Sequence, residues 1–95
     1  MISVKVSDKK ISILGHAMFV EYGKDIVCSA CSSIVTTTVN GILSIDKDSL
    51  DYSINEEGME ITIKKSDEIT SKLIDNMVNL LKELESNYPD NIEVK

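Results

Sequence analysis

The sequence predicts an α+β fold of order ββαββαβ, one mainly antiparallel sheet packed with two helices. Three observations carry this. Apolar and polar residues alternate in two paired stretches, Ile2–Ile13 and Leu50–Ile63, each interrupted by a turn-forming tetrad. Two other stretches, after Asp25 and after Ser66, repeat apolar residues at helical spacing. The only proline, Pro89, follows the second of these and precedes a last short alternation.

Ile2, Val4 and Val6 alternate with polar neighbours and read as a half-buried strand. Ser7-Asp8-Lys9-Lys10 is a turn, and Ile11 and Ile13 resume the alternation in a strand running to about Gly15-His16. Ala17 to Lys24 has no clear period. It holds Met18, Phe19, Tyr22 and Gly23 and reads as an apolar loop, which is unusual because loops normally carry polar turn residues. Asp25 is a good N-cap for the first helix. Val27, Ala30, Cys31, Ile34, Val35 and Thr38 fall on one face and Ser29, Ser33, Thr36 and Asn40 on the other, with Gly41 expected to end it. Rich in Thr and Val, this helix has weak intrinsic propensity and depends on tertiary burial. Leu50–Ile54 and Met59–Ile63 form the second strand pair around the hairpin turn Asn55-Glu56-Glu57-Gly58. Ser66-Asp67-Glu68 opens the second helix with acids at its positive end. Ile69, Leu73, Met77, Leu80, Leu81 and Leu84 give that helix its apolar stripe. Ile92 and Val94 suggest a short last strand.

Ninety-five residues are read as one domain, residues 1–95, with room for a modest core. The formal net charge is −6, and the ten basic residues are scattered without aromatic interleaving. That disfavours direct nucleic-acid binding, which needs clustered Lys and Arg, and suits a basic protein partner better. Asp48, Asp51, Glu56, Glu57, Glu83 and Glu85 contribute to the acidic field. Unbroken apolar runs are only a few residues long, so no membrane span is expected. The opening Met-Ile-Ser-Val resembles a strand rather than a signal peptide, so a cytoplasmic location with both thiols reduced is expected.

The chemistry centres on Cys28 and His16. Cys28 stands in the first turn of the first helix, where unpaired backbone N–H groups and a positive field lower a thiol's pKa from about 8.5. On a helical wheel Cys28 borders the apolar face beside Ser32 and Cys31 lies well inside it, which predicts a reachable Cys28 and a buried Cys31. Alone, a cysteine near a helix start is more often a small core residue than a nucleophile. His16 is the only histidine, at the end of a strand. A strand end and the following helix start commonly share one sheet edge, so the loop between them can bring imidazole and thiol together. Competing readings are a Cys28-x-x-Cys31 thiol oxidoreductase, a zinc site from His16, Cys28 and Cys31, and a non-catalytic binding module, which the resemblance drawn next would make ribosome-associated.

Leu14-Gly15-His16-Ala17, then Gly23-Lys24-Asp25-Ile26-Val27-Cys28-Ser29-Ala30, then Ser32 resemble the signature of the ribosomal-processing cysteine protease family, the Prp family. The twelve-residue step from His16 to Cys28 matches, and length and element order extend the resemblance over essentially the whole chain. Cys31 departs from the family's small apolar residue there, a swap that fits a buried position. The resemblance implies a cysteine endopeptidase without cofactor or metal, acting through a Cys28/His16 pair. It implies removal of the short N-terminal extension of large-subunit ribosomal protein twenty-seven, cut after an aromatic residue, by a homodimer. The loop with Ala17, Met18, Phe19, Tyr22 and Gly23 would receive the substrate. Backbone N–H groups at the helix start would hold the oxyanion, and Asp25, Ser29 and Ser32 would support the pair.

Overall fold

The alternating stretches form strands and the periodic ones helices, in the expected ββαββαβ order: β1 (Ile2–Val6), β2 (Lys10–Leu14), α1 (Ile26–Ile45), β3 (Leu50–Asn55), β4 (Gly58–Ile63), α2 (Glu68–Asn87) and β5 (Ile92–Val94). The computed structural model describes residues 1–15 and 26–95. The sheet has strand order β3-β4-β2-β1-β5. Three pairings are antiparallel, and β5, reached from β4 through α2, joins β1 in parallel.

The register puts one set of side chains on the core-facing side of the sheet, with Val6 and Ile54 at its margins left 39% and 48% exposed. Val4 faces Ile13, which faces Met59, which faces Ile54; Val6 faces Ile11, which faces Ile61, which faces Tyr52. Ile2 pairs with Ile92 at one end. The alternate residues, such as Lys5, Ser12, Glu60 and Asp51, form the opposite, polar face, where Lys10 reaches Glu60 at 3.2 Å. The helices cover the apolar face, and sheet and helix residues form a single core.

Both helices sit rotated from the expected orientation. In α1 the buried stripe is Val27, Cys28, Cys31, Val35, Val39 and Ile42, roughly 60° round from the expected face of Val27, Ala30, Cys31, Ile34, Val35 and Thr38. Ala30 and Ile34 are only half-buried. In α2 the buried residues are Thr70, Ile74, Met77 and Leu81, whereas Ile69 and Leu80 of the expected stripe are 55% and 39% exposed. Thr70 can be buried because its hydroxyl donates to Asp67 Oδ2 at 3.2 Å. Asp67 caps the helix, its Oδ1 accepting from the Thr70 N–H at 2.8 Å. Glu85 Oε2 accepts from the Val94 N–H at 2.9 Å and ties α2 to β5.

Contrary to expectation, α1 does not stop at Gly41 but continues to Ile45. Burial of Ile42 outweighs the glycine's intrinsic penalty of about 1 kcal/mol. The helix stops instead at an aspartate turn. Asp46 Oδ1 accepts from the Asp48 N–H, and Lys65 Nζ meets Asp46 Oδ2 at 3.0 Å. Those two donors hold the Asp46 carboxyl below its ordinary range. With 20 residues, a mean hydropathy of 1.6 in its most apolar window and no charged residue, α1 also has the length and composition of a membrane span, which counting unbroken runs overlooked. The helix of a buried core has the same properties, and here Cys31, Val35 and Val39 are fully buried in that core.

A Cβ on Gly41 would meet nothing within 4 Å. Gly41→Ala is therefore expected to stabilise the fold by about 0.5–1 kcal/mol, read as a higher denaturant midpoint. A lower midpoint would show that this turn requires glycine.

Candidate active site

Cys28 is the third residue of α1, within the turn whose backbone N–H groups have no intrahelical acceptor. The direction of α1 puts this turn near the end of β2. Its last turn lies where β4 ends, since Lys65 binds Asp46 and the Lys64 and Lys65 N–H groups donate to the Ser49 carbonyl at 2.8 and 3.1 Å. A 20-residue helix is about 30 Å long, so its first turn reaches the opposite sheet edge. At that edge Leu14 pairs with Gly58 and β2 gives way to Gly15.

The expectation of a reachable Cys28 is corrected. Cys28 is 5% exposed, in the same stripe as Cys31. The reason is the rotation of α1: a stripe running through Cys31, Val35, Val39 and Ile42 passes through Cys28 one turn earlier. Cys31 is fully buried, as expected. Burial, with the nearby charge of Cys28 as a smaller contribution, pushes its thiol up from 9.0 to about 12. Cys31 is thus a neutral core thiol and a poor nucleophile at physiological pH. Ser29 is exposed and Ser32 half-buried. His16, Ala17, Met18, Phe19, Tyr22, Gly23 and Asp25 lie outside the described residues.

The chain reaches His16 through a rigid strand end. Gly15 has φ +78°, and a Cβ there would lie 2.5 Å from the Met1 carbonyl oxygen. Gly58, opposite Leu14, has φ +152°, and a Cβ would lie 1.9 Å from the Ile13 carbonyl oxygen. No larger residue fits either position without moving backbone. The Gly15 N–H donates to the Glu57 carbonyl at 3.1 Å, one rung beyond the β2–β4 ladder. Sequence reading saw Asn55–Gly58 only as a hairpin turn. Its attachment to the residue before His16 depends on strand order, which local pattern does not reveal.

Residues 1–93 of the chain match a family model described as cysteine protease Prp. The chain belongs to the Prp cysteine protease family. The ribosomal processing cysteine protease Prp of Mycoplasma genitalium is 30% identical over 96 residues, covering 99% of this chain and 94% of that one. That of Bacillus subtilis is 31% identical over 87 residues, covering 84% and 78%. The crystal structure of the Staphylococcus aureus Prp in complex with a substrate peptide shares the fold, with a TM-score of 0.82 at 24% identity over 99% of this chain and 95% of that one. As a Prp protein this chain is a cysteine protease, which sets aside the oxidoreductase, zinc and non-catalytic readings.

The raised Cys31 thiol carries a pH signature. The unfolded chain releases this proton near 9 and the folded chain near 12, so the contribution to stability is complete below 9 and is lost as pH rises toward 12. Cys31→Val keeps the volume and removes the proton. Between pH about 8 and about 11, wild-type stability is expected to fall more steeply than that of Cys31→Val in urea titrations. Parallel curves would show that this thiol is not buried as a neutral group.

Proposed function

We propose that this protein removes the short N-terminal extension of a basic large-subunit ribosomal protein, ribosomal protein twenty-seven, with Cys28 as nucleophile and His16 as general base. The position of Cys28 within the first turn of a 20-residue helix is the observation that carries the reading. His16 takes the Cys28 proton and the thiolate attacks the scissile carbonyl carbon. First-turn N–H groups, that of Cys28 included, receive the oxyanion. Collapse of the tetrahedral intermediate expels the amine, which takes its proton from His16, and water then releases the product acid from the thioester.

Because Cys28 is buried, substrate binding has to uncover the sulfur, and the segment holding Ala17, Met18, Phe19, Tyr22 and Gly23 would receive the substrate. Phe19 and Tyr22 would close over an aromatic side chain before the cut, and Asp25 would cap α1 or orient His16. Ser32, one turn after Cys28, would hydrogen-bond near the sulfur, whereas the exposed Ser29 supports it only through its backbone N–H. The net charge of −6 favours encounter with a basic substrate at low ionic strength. The reading also includes a cytoplasmic homodimer. The dimer is supported by the uncharged outer face of α1 and by Ile45 and Ile69, 61% and 55% exposed, flanking one groove of about 490 Å³.

Incubation with a peptide spanning the extension's junction is expected to give one cut after the aromatic residue. Cys28→Ser should give none, and His16→Ala should be slower by about 10²–10⁴-fold. A wild type that leaves the peptide intact, or a Cys28→Ser variant that cuts it, would overturn the proposal. Sedimentation should give twice the 10.5 kDa chain mass.

A further inference from the structure

The proposed protease chemistry uses only half of the Cys28-x-x-Cys31 pair. Cys28 attacks the substrate, and Cys31 has no part in the reaction. Yet the fold keeps the two thiols together. They are the third and sixth residues of α1, both in its buried stripe and both in one core cluster. Residues three apart on a helix share a face, with Cα atoms about 5 Å apart. A disulfide needs about 4.4–6.8 Å between Cα atoms, so the backbone already lies in range. The Cβ atoms, about 5–6 Å apart in a regular helix, have to close to about 3.5–4.5 Å. That closure falls on the opening of α1, where the leading N–H groups have no intrahelical bond to lose.

The two thiols also differ in reactivity. Cys28 stands at the helix terminus, where a thiolate is favoured. Cys31 is held protonated, first by burial and then by the nearby charge of Cys28. An exposed-on-demand thiolate beside a protonated partner is the arrangement of an attacking and a resolving thiol.

We infer that Cys28 and Cys31 form a reversible disulfide within α1 that shuts the protease off in the presence of peroxide. The inference rests on Cys28 being the nucleophile. Hydrogen peroxide is little larger than water, and the opening that substrate binding requires admits it. The Cys28 sulfur attacks one peroxide oxygen, the O–O bond breaks, and water leaves a sulfenic acid on Cys28. The Cys31 sulfur then attacks Cys28 Sγ, the S–O bond breaks, and the hydroxyl departs with the Cys31 proton as a second water. Two electrons pass from the thiol pair to the peroxide. Cys31 is a weak nucleophile toward outside partners, but here its target lies within the same turn. The negative charge that opposed its ionisation is also gone once Cys28 is a neutral sulfenic acid. A dithiol reductant reverses the bond through a mixed disulfide and ends as the cyclic disulfide itself. Without Cys31 the chain has no second cysteine, and further peroxide carries Cys28 to a sulfinic acid that dithiols do not reduce.

The test treats the full chain as wild type, Cys31→Val and Cys28→Ser with hydrogen peroxide. Remaining thiols are blocked with iodoacetamide under denaturing conditions. Intact mass and cleavage of the junction peptide are read before and after dithiothreitol. The wild type is expected to lose two hydrogens, take no label and stop cutting, then to regain cleavage with dithiothreitol. Cys31→Val is expected to cut as the wild type does before peroxide, then to gain two oxygens and stay inactive after dithiothreitol. A wild type that keeps labelled thiols after peroxide, or is linked only between chains, overturns the inference. So does a Cys31→Val that recovers as fully as the wild type. The wild-type mass decides whether the bond forms even if Cys31→Val does not fold. Cys28→Ser separates the two readings. If it cuts the peptide, the nucleophile assignment falls and the switch with it; if it is inactive while the wild type forms no disulfide, only the present inference falls.

Discussion

The seating of α1 on the sheet is the contact on which the rest of this molecule depends. The helix has no charged residue and many β-branched ones, so it is held by burial rather than by its own propensity. Its stripe of Cys28, Cys31, Val35, Val39 and Ile42 belongs to the same core as the inward rows of β1, β2 and β4. That seating buries both thiols, one turn apart. Cys31 lies deep, where desolvation pushes its thiol up to about 12 and leaves it a core residue. Cys28 lies in the turn whose N–H groups point beyond the helix, the place where an anion is best accommodated. Burial disfavours a thiolate in general and a helix N-terminus favours one, and the protease chemistry requires the second effect to prevail.

The strand end before His16 is fixed by a different kind of packing. At Gly15 and Gly58 backbone approaches backbone more closely than any Cβ permits, and both residues have positive φ. These glycines let β4 press on β2 and let the chain turn beside Met1 as it leaves the sheet. The span from Gly15 to Ile26 is thus anchored at both ends, by a glycine-lined strand end and by a buried helix stripe. Only a chain that is rigid on both sides of the site can present two reacting groups reproducibly.

Much of this was legible in the sequence. Strict alternation in Ile2–Val4, Ile11–Ile13 and Met59–Ile61 marked the inward faces correctly, because a strand's period of two leaves no choice of face, although Val6 at the end of β1 is exposed. The helices were legible as elements but not in rotation. Their apolar residues span more than one face, so only packing decides that Val39 and Ile42 go in while Ile69 and Leu80 stay out. Gly41 misled because a glycine signals an end only when nothing beyond it needs burying, and Ile42 does. The same rotation explains why Cys28 looked reachable on the wheel and is buried in the fold. The Glu57–Gly15 connection was invisible, since it joins residues forty-two positions apart through strand order alone.

The pH dependence of Cys28 alkylation by a small haloacetamide, followed by mass spectrometry in a Cys31→Val background, tests the central claim most directly. The expected result is a half-maximal rate at a pH below the value of about 8.5 for an ordinary thiol, moving upward when His16 is replaced by Ala. A midpoint at or above about 8.5 that ignores the loss of His16 would contradict it, since burial would then outweigh the helix terminus and no imidazole would be sharing the proton.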